Sequence, residues 1–353
     1  MCIIKTMKVR KILFFLLILV AGCAEDEELK ETKPTPVVLD IPTNFPEPVY
    51  DLVSNPLTEE GIALGKMLFY DAALSRDNTI SCGFCHQQPT AFTHHGHDVS
   101  HGIGDQLGRR NSLPIQNLLW YKNFFWDGGV HNLDLVPLNA ISNPVEMDEE
   151  TPNILRKLEG QQKYRDKFKA AFGTDEITSA RFLQSLSQFM ATMVSANSRY
   201  DKHVRHKSVQ LTENEIKGEL LFRQHCASCH AGELFTDQSF RNNGISTASD
   251  LLKDSGREEV TLKPDDRGKF KVPSLRNVEY TAPYMHNGKL KSLQAVLDFY
   301  VSGVQMSSTL DPLLTQNAQP GIGLTADEKN RIIDFLKTLT DEQFMSDRRF
   351  SEY

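Results

Sequence analysis

Two short segments of this chain place two cysteines and a histidine at one shared spacing. Cys82–His86 and Cys226–His230 both read Cys-x-x-Cys-His. That spacing is the attachment pattern of c-type haem, in which two thiols add to one porphyrin and the adjacent imidazole binds its iron. The sequence therefore predicts two covalently bound haems. The predicted attachment thiols are Cys82, Cys85, Cys226 and Cys229, and the predicted proximal iron ligands are His86 and His230.

Three other chemistries use paired cysteines. Redox-active pairs begin a helix within a βαβ unit, and no such strand pattern flanks either motif. A four-thiolate zinc site could draw on both pairs, although the pairs lie far apart in the sequence. A disulfide within one pair would close a very tight ring. None of these readings accounts for a histidine after both pairs, so haem attachment is the favoured interpretation.

The N-terminus indicates export. Basic residues at 8–11 precede the apolar run Ile12–Val20, which suits the core of a signal peptide and is too short to span a bilayer. The run ends in a lipoprotein box at Val20–Cys23. We therefore predict a lipoprotein signal peptide over 1–23, with lipid attached to Cys23 after cleavage.

Residues 24–48 are predicted to be a flexible acidic and proline-rich tether, because they contain few apolar residues. The acidic run Glu25–Glu28 resembles surface-export signals of bacterial lipoproteins, and the alternative is a solvated linker on the periplasmic side. The expected location is the periplasm or the cell surface. The lipid on Cys23 would be the only membrane contact.

The charge balance argues against nucleic acid as a partner. The formal net charge is −7, and loss of the leader, which carries four basic and no acidic residues, brings it to −11. Such a chain is compatible with a basic electron-donor protein.

A short internal repeat indicates the elements that must position the haems. Leu57–Glu59 and Gly65–Phe69 precede the first motif, and the similar Leu211–Glu213 and Gly218–Phe222 precede the second. The repeat predicts two cytochrome c-like units, each with a helix packed against its haem. The predicted domains are an N-terminal haem domain over 49–205 and a C-terminal haem domain over 206–353.

Helical patterns dominate the remaining sequence. Apolar residues recur at helical spacing over 182–194. Thr212–Glu215 and Thr325–Glu328 are capping boxes, and Ser292 can cap a helix whose apolar stripe ends at Tyr300. The expected fold class is mostly α, with two cytochrome c-like haem domains and long irregular loops. The stretches predicted to be irregular are 87–123 and 231–291.

Two haems alone allow either an electron carrier or an enzyme. An enzyme that cleaves an O–O bond needs an acid/base group near an open iron position. The chain contains four further strings, Phe125–Gly129, Asn143–Met147, Pro273–Asn277 and Thr281–Gly288. In order and spacing they resemble the bacterial dihaem cytochrome c peroxidase and MauG family over nearly the whole mature chain, 50–345.

The resemblance implies roles for individual residues. The haem on Cys82–His86 would be the peroxidatic one, with Glu146 as its distal acid/base. Trp126 would assist electron transfer between the haems. The chain departs from the family at Val136, where a glutamine is usual, and at Ala140, where a proline is common. We therefore expect a more apolar distal pocket with one hydrogen-bonding group fewer.

The sixth ligand of the first iron is left open by the resemblance. Typical members place a displaceable histidine in the loop after the first motif, whereas MauG-like members lack it. The candidate here is His101, next to the family's nearest matching position, Gly102. The same loop also carries His94, His95 and His97.

Further ligands follow from the same resemblance. Tyr300 stands where MauG has a tyrosine ligand to the second iron and peroxidases have a methionine, and Met285 and Met306 are its rivals. The family also holds a calcium ion between its domains. The matching positions are Asn111, Thr281 and Pro283, whose oxygen ligands suit calcium.

The resemblance implies a peroxidase that reduces hydrogen peroxide to water. Its electrons would come from a small cytochrome c, a cupredoxin or a quinol. Two alternatives remain open: a MauG-like oxidase acting on a partner protein, and a dihaem electron carrier. A homodimer is also left open.

Overall fold

The computed structural model describes residues 33–206, 208–315 and 319–352. The predicted signal peptide, Cys23 and the first part of the predicted tether lie outside these residues. Most regular structure in the described part is helical, which confirms the expected fold class. No helix there is long and apolar enough to cross a membrane.

The helices and strands alternate with long irregular connections. The α-helices are α1 (Glu59–Phe69), α2 (Cys82–Cys85), α3 (Val136–Ser142), α4 (Thr151–Glu159), α5 (Gln162–Phe172), α6 (Ser179–Ala191), α7 (Arg199–His206), α8 (Glu213–His225), α9 (Glu258–Thr261), α10 (Leu293–Ser302), α11 (Ala326–Lys337) and α12 (Glu342–Ser346). Strands β1 (Phe240–Arg241) and β2 (Phe270–Lys271) pair antiparallel, with Phe240 opposite Lys271. Short 3-10 turns cover Ala72–Leu74, Gln88–Thr90, Ile103–Asp105, Leu118–Trp120, Leu133–Leu135, Pro264–Asp266 and Pro312–Leu314.

The helix starts read from the sequence are confirmed. Thr212 and Thr325 both form complete capping boxes, with Glu215 and Glu328 respectively. The Ser292 hydroxyl caps α10 by accepting a hydrogen bond from the Ala295 N–H. The two stretches predicted to be irregular, 87–123 and 231–291, are described throughout and contain no regular structure beyond short turns, α9 and the two-residue strands β1 and β2.

The internal repeat marks a repeated helix crossing. Helix α1 packs on α6 where a Cβ at Gly65 would lie 1.9 Å from the Ser185 carbonyl oxygen. Helix α8 packs on α11 where a Cβ at Gly218 would lie 1.9 Å from the Arg331 carbonyl oxygen. Only glycine allows backbones to approach this closely. The repeated glycine therefore fixes the distance between the paired helices that precede each haem motif.

Buried apolar residues gather into separate cores. The largest includes Phe69 of α1 and Phe189 of α6, whose ring centroids lie 5.4 Å apart. A second includes Phe222 of α8 and Phe335 of α11, at 5.2 Å. The predicted division between 205 and 206 stays a prediction.

The segment predicted to be a flexible tether is, from Thr35 on, packed against the fold. The Val37 N–H donates to the Leu57 carbonyl oxygen at 2.9 Å, and Thr35 donates to the Glu60 carboxylate. Phe45 is buried edge-on against Trp120, with ring centroids 5.1 Å apart. The proline-rich composition predicted a free linker, but these hydrogen bonds and the buried Phe45 ring hold this part against the fold.

A buried ion pair joins the loop that contains Arg276 to α7. The Arg276 guanidinium donates to both carboxylate oxygens of Asp201, at 2.9 and 2.8 Å, and neither side chain is exposed. The same guanidinium lies 4.5 Å from the Phe45 ring centroid. Breaking a buried pair of this kind typically costs about 3–5 kcal/mol. The Arg276–Asp201 pair fixes the loop Pro273–Asn277, whose Pro273 carbonyl oxygen contacts His230 of the second motif.

Candidate haem sites

The first Cys-x-x-Cys-His motif folds as one helical turn. Ser81 caps it by accepting a hydrogen bond from the Phe84 N–H, and the His86 N–H donates to the Cys82 carbonyl oxygen at 2.9 Å. Cys82, Cys85 and His86 all line one cavity of about 600 Å³. The turn thus presents two thiols and an imidazole to the same space.

The orientation of His86 suits a metal ligand. Its Nδ1 lies 2.7 Å from the Phe92 carbonyl oxygen, so Nδ1 carries the proton and donates to that oxygen. Nε2 is then the ring nitrogen with a lone pair for iron, as in most histidine-ligated metal sites. Burial lowers the pKa of His86 and keeps it neutral.

Glu146 lines the same cavity. Its Oε1 accepts a hydrogen bond from the Ser100 hydroxyl at 2.9 Å, and its backbone oxygen accepts from the Ile103 N–H at 2.8 Å. Burial raises the pKa of Glu146, while the Ser100 hydrogen bond acts in the opposite direction. A carboxyl group whose pKa is raised toward neutrality is suited to accept and return a proton.

The wall around Glu146 is apolar on one side. Val136 and Ala140, the two departures from the family pattern, both belong to α3 and line the cavity. The sequence alone gave no sign of Ser100 as the partner of Glu146, because 46 residues separate them. Only the fold brings the two together.

The second motif repeats the same turn at the end of α8. The His230 N–H donates to the Cys226 carbonyl oxygen at 2.9 Å. The His230 Nδ1 lies 3.2 Å from the Phe235 carbonyl oxygen and 3.1 Å from that of Pro273. These carbonyls again leave Nε2 for iron. Cys226, Cys229 and His230 line a second cavity of about 220 Å³.

Two candidate axial ligands meet in the second cavity. The Asn243 amide lies 3.3 Å from the Tyr300 hydroxyl and 3.3 Å from the Met285 sulfur. Burial raises the pKa of Tyr300 to about 12. Met306, the other rival, is 69% exposed and lines neither cavity. Of the three candidates named from the sequence, Tyr300 and Met285 therefore line the second cavity and Met306 does not.

The two cavities share a wall. Trp126 belongs to it and is held by its indole N–H, which donates to the Asn111 carbonyl oxygen at 2.8 Å. Lys271 belongs to it as well, with Nζ 2.9 Å from the Asn123 carbonyl oxygen and 4.6 Å from the Tyr121 ring centroid. Burial lowers the pKa of Lys271 to about 8. The residues that line both cavities are Asn111, Leu113, Pro114, Trp126, Lys271, Val272, Pro273 and Ser274.

The three positions expected to bind calcium also lie together. Asn111, Thr281 and Pro283 all line the second cavity. The Asn111 amide nitrogen donates to the Asp98 carbonyl oxygen at 3.1 Å. Within the described ranges, no residue donates a hydrogen bond to the Asn111 side-chain oxygen or to the carbonyl oxygens of Thr281 and Pro283.

His101, the candidate sixth ligand of the first iron, does not line the first cavity. Its Nε2 is 3.1 Å from the Asp105 carboxylate, and its ring stacks on His97 with centroids 5.0 Å apart. Its backbone oxygen accepts a hydrogen bond from the Cys85 thiol at 3.5 Å. Three histidines of the loop, His94, His97 and His101, stack on one another.

The residues present fit covalently bound haem. The four motif cysteines are free thiols at the edges of the two cavities, as thioether formation requires. Both motif histidines are neutral and oriented through Nδ1. The distal sides differ, with a carboxyl group in one cavity and a phenol and a thioether in the other.

Comparison with known proteins agrees with this arrangement. The chain is 34% identical over 300 residues to the methylamine utilization protein MauG of Methylorubrum extorquens, covering 84% of this chain and 83% of that protein. It is 32% identical over 284 residues to the cytochrome c551 peroxidase of Nitrosomonas europaea, covering 79% and 80%. A solved MauG-like protein associated with microbial copper homeostasis superposes with a TM-score of 0.81 at 33% identity, covering 90% of this chain and 99% of that one.

A family profile described as di-haem cytochrome c peroxidase matches residues 59–209, which include the first motif, Trp126 and Glu146. With the relatives above, which extend through the second motif, this match and the two haem cavities establish the family. The chain belongs to the di-haem cytochrome c peroxidase family.

Proposed function

We propose that the chain is a dihaem peroxidase that reduces hydrogen peroxide to water with electrons from a small redox donor. The observation that carries the proposal is the Glu146 carboxyl group, which lines the cavity of the first Cys-x-x-Cys-His motif. A pure electron carrier has no use for an acid/base group at its haem. The names of the relatives, which include cytochrome c peroxidases, support the same activity.

The chain's own residues divide the proton chemistry. The first haem, when bound, supplies a redox-active iron at which the O–O bond can be cleaved. Glu146 accepts a proton from one peroxide oxygen and returns it to the other, which leaves as water. Ser100 holds the carboxylate by donating to Oε1. Two electrons and two further protons complete the conversion of one peroxide to two waters.

Electrons must cross between the two sites. Trp126 lies in the wall that both cavities share, and its indole is held by Asn111. We place electron transfer between the haems through this wall. Tyr300, which lines the second cavity, would hold the second iron, and its phenolate would stabilise the oxidised metal better than a thioether would.

The finer properties belong to the same proposal. Asn111, Thr281 and Pro283 would supply oxygen ligands to one calcium ion. The donor would be a cytochrome c, a cupredoxin or a quinol. The protein would act in the periplasm or at the cell surface, held by lipid on Cys23.

A second candidate is a MauG-like oxidation of a partner protein. It is favoured by Tyr300 in the second cavity and by the position of His101, whose side chain leaves the first cavity without a histidine from that loop. The two candidates share the same first step at Glu146 and differ in the source of electrons.

The test is peroxide consumption by the haem-loaded protein, with reduced cytochrome c, reduced cupredoxin or a quinol supplied in turn. The proposal predicts turnover with at least one donor, with donor oxidation matching two electrons per peroxide. Reaction with peroxide without turnover on any donor would favour the oxidase instead. No reaction with peroxide would reject both enzymes.

A further inference from the structure

The loop after the first haem motif gathers three histidines. The rings of His94 and His97 stack with centroids 4.1 Å apart, and those of His97 and His101 stack at 5.0 Å. One nitrogen of each ring lies within 4.8 Å of the others. The fourth histidine of the loop, His95, is exposed and outside the group.

Two of these rings carry buried nitrogens without a partner. His94 is only 2% exposed, and its Nδ1 has no hydrogen bond. The Nδ1 of His101 is buried and unpaired as well. A buried polar atom left unpaired is costly, so two of them within one small group of histidines call for a binding partner.

The other nitrogen of His101 is held as in known metal sites. Its Nε2 lies 3.1 Å from the Asp105 carboxylate. Histidines that bind metals commonly donate their second ring N–H to a carboxylate, which fixes the ring and makes the free nitrogen a better ligand. Here that arrangement leaves Nδ1 of His101 for the metal.

We propose that His94, His97 and His101 bind one late first-row divalent ion, zinc or copper(II). Three imidazoles are a known ligand set for zinc and suit copper, and neither sulfur nor carboxylate is needed. Nitrogens around a tetrahedral zinc lie about 3.4 Å apart. The present spacing therefore closes by small side-chain rotations. The three histidines line neither haem cavity, and the proposal does not depend on the proposed peroxidase activity.

The ion would brace the loop that holds Glu146. Ser100 and Ile103 lie within two residues of His101. The Ser100 hydroxyl donates to the Glu146 carboxylate, and the Ile103 N–H donates to the Glu146 backbone oxygen. Gly102 packs so closely that an added Cβ would lie 2.4 Å from the Glu146 backbone. Binding at the three histidines therefore fixes the backbone on which the carboxyl group rests.

The test is calorimetric titration of the haem-loaded protein. The protein is first treated with a chelator, then supplied with excess calcium, and titrated with zinc and, separately, with copper(II). The variants are His97→Gln and His101→Asn, and the matched control is His95→Gln in the same loop. Unchanged haem absorption in each variant shows that it has folded.

We expect one equivalent of at least one ion to bind the wild type and the His95→Gln control with the same affinity. Loss of one ligand should weaken that binding by at least about a hundredfold in both other variants. Bound ion should also raise the melting temperature of the wild type and not of His97→Gln. Absence of a stoichiometric site for either ion, or equal affinity in His97→Gln, would overturn the proposal.

Discussion

The two haem cavities share the Cys-x-x-Cys-His turn and differ in the side chains that line the rest of each cavity. Each has a single turn with two thiols and a histidine held through Nδ1. The first cavity, about 600 Å³, adds the Glu146 carboxyl group with its Ser100 partner. The second, about 220 Å³, adds Tyr300 and Met285 around one amide.

The proposed division of chemistry between the two haems rests on this difference. The second cavity also has a carboxylate, Asp311, but Arg241 pairs with it at 2.9 Å. Two of its other groups, the Tyr300 phenol and the Met285 thioether, are of types that can bind iron. The Glu146 carboxyl group has no cationic partner within the described residues, and its pKa is raised by burial. The attachment motif therefore fixes where each haem lies, and residues from distant loops decide what it does.

The largest effect is expected from Glu146→Gln, which keeps the side-chain shape and removes the acid/base group. Peroxide turnover should fall by about 10²–10⁴-fold, the usual contribution of general acid–base catalysis. Haem content should not change. Stopped-flow mixing with peroxide measures the effect, and Glu150→Gln, an exposed neighbour outside the cavity, is the control. A rate equal to that of the wild type would remove the distinction between the cavities.

Trp126→Phe tests the shared wall. It should slow electron delivery from the second haem to the first by about tenfold, equivalent to about 1.4 kcal/mol of barrier. The initial reaction with peroxide should be little changed. The chain's other tryptophan provides the control: Trp120 also donates its indole N–H to a carbonyl, that of Pro46, but lines neither cavity. Equal slowing in both variants would indicate a general packing effect.

Tyr300→Phe and Met285→Leu sharpen the account of the second cavity. If the phenol oxygen binds the second iron, only Tyr300→Phe should change the optical and electron paramagnetic resonance spectra of one haem. The same variant should raise that haem's reduction potential, because a donor that favours the oxidised iron is lost. A spectral change confined to Met285→Leu would assign the position to the thioether.

The smallest effect is expected from Ser100→Ala, read as a pH profile. Glu146 must be ionised to accept a proton, so the rate falls as the pH drops through its raised pKa. The Ser100 hydrogen bond favours the ionised form, and removing it raises the pKa further. The acid limb of the profile should therefore move to higher pH while the rate at high pH stays close to that of the wild type. An unmoved or lowered limb would contradict this role.

Local patterns predicted the parts of this molecule that depend on local physics. The capping boxes at Thr212 and Thr325 need only neighbouring residues, and the repeat around Gly65 and Gly218 predicted the helix before each motif. The helix crossings that these two glycines permit are visible only in the structure. The packing of the segment around Phe45 could not be predicted from its composition. It depends on a pocket beside Trp120 that only the folded chain forms.

The site was predicted less completely. The attachment residues and Glu146 follow from motifs, but Ser100, Asn243 and Lys271 act through partners far away in sequence. That His101 does not line the first cavity could not be foreseen either, because spacing along a loop does not fix the direction of its side chains. His94 and His97 were visible in the sequence, and only the fold shows that they form a cluster.

Cyanide titration of the ferric, haem-loaded protein tests most directly the claim that one cavity is open for chemistry and the other is closed. If the first iron is open and Tyr300 holds the second, one cyanide should bind per two haems. Binding should also be slower in Glu146→Gln, since hydrogen cyanide must give up its proton as it binds. Binding of two cyanides per chain, or of none, would show that the two cavities do not differ in this way. A single cyanide that binds Glu146→Gln as fast as the wild type would contradict the proton-accepting role of Glu146.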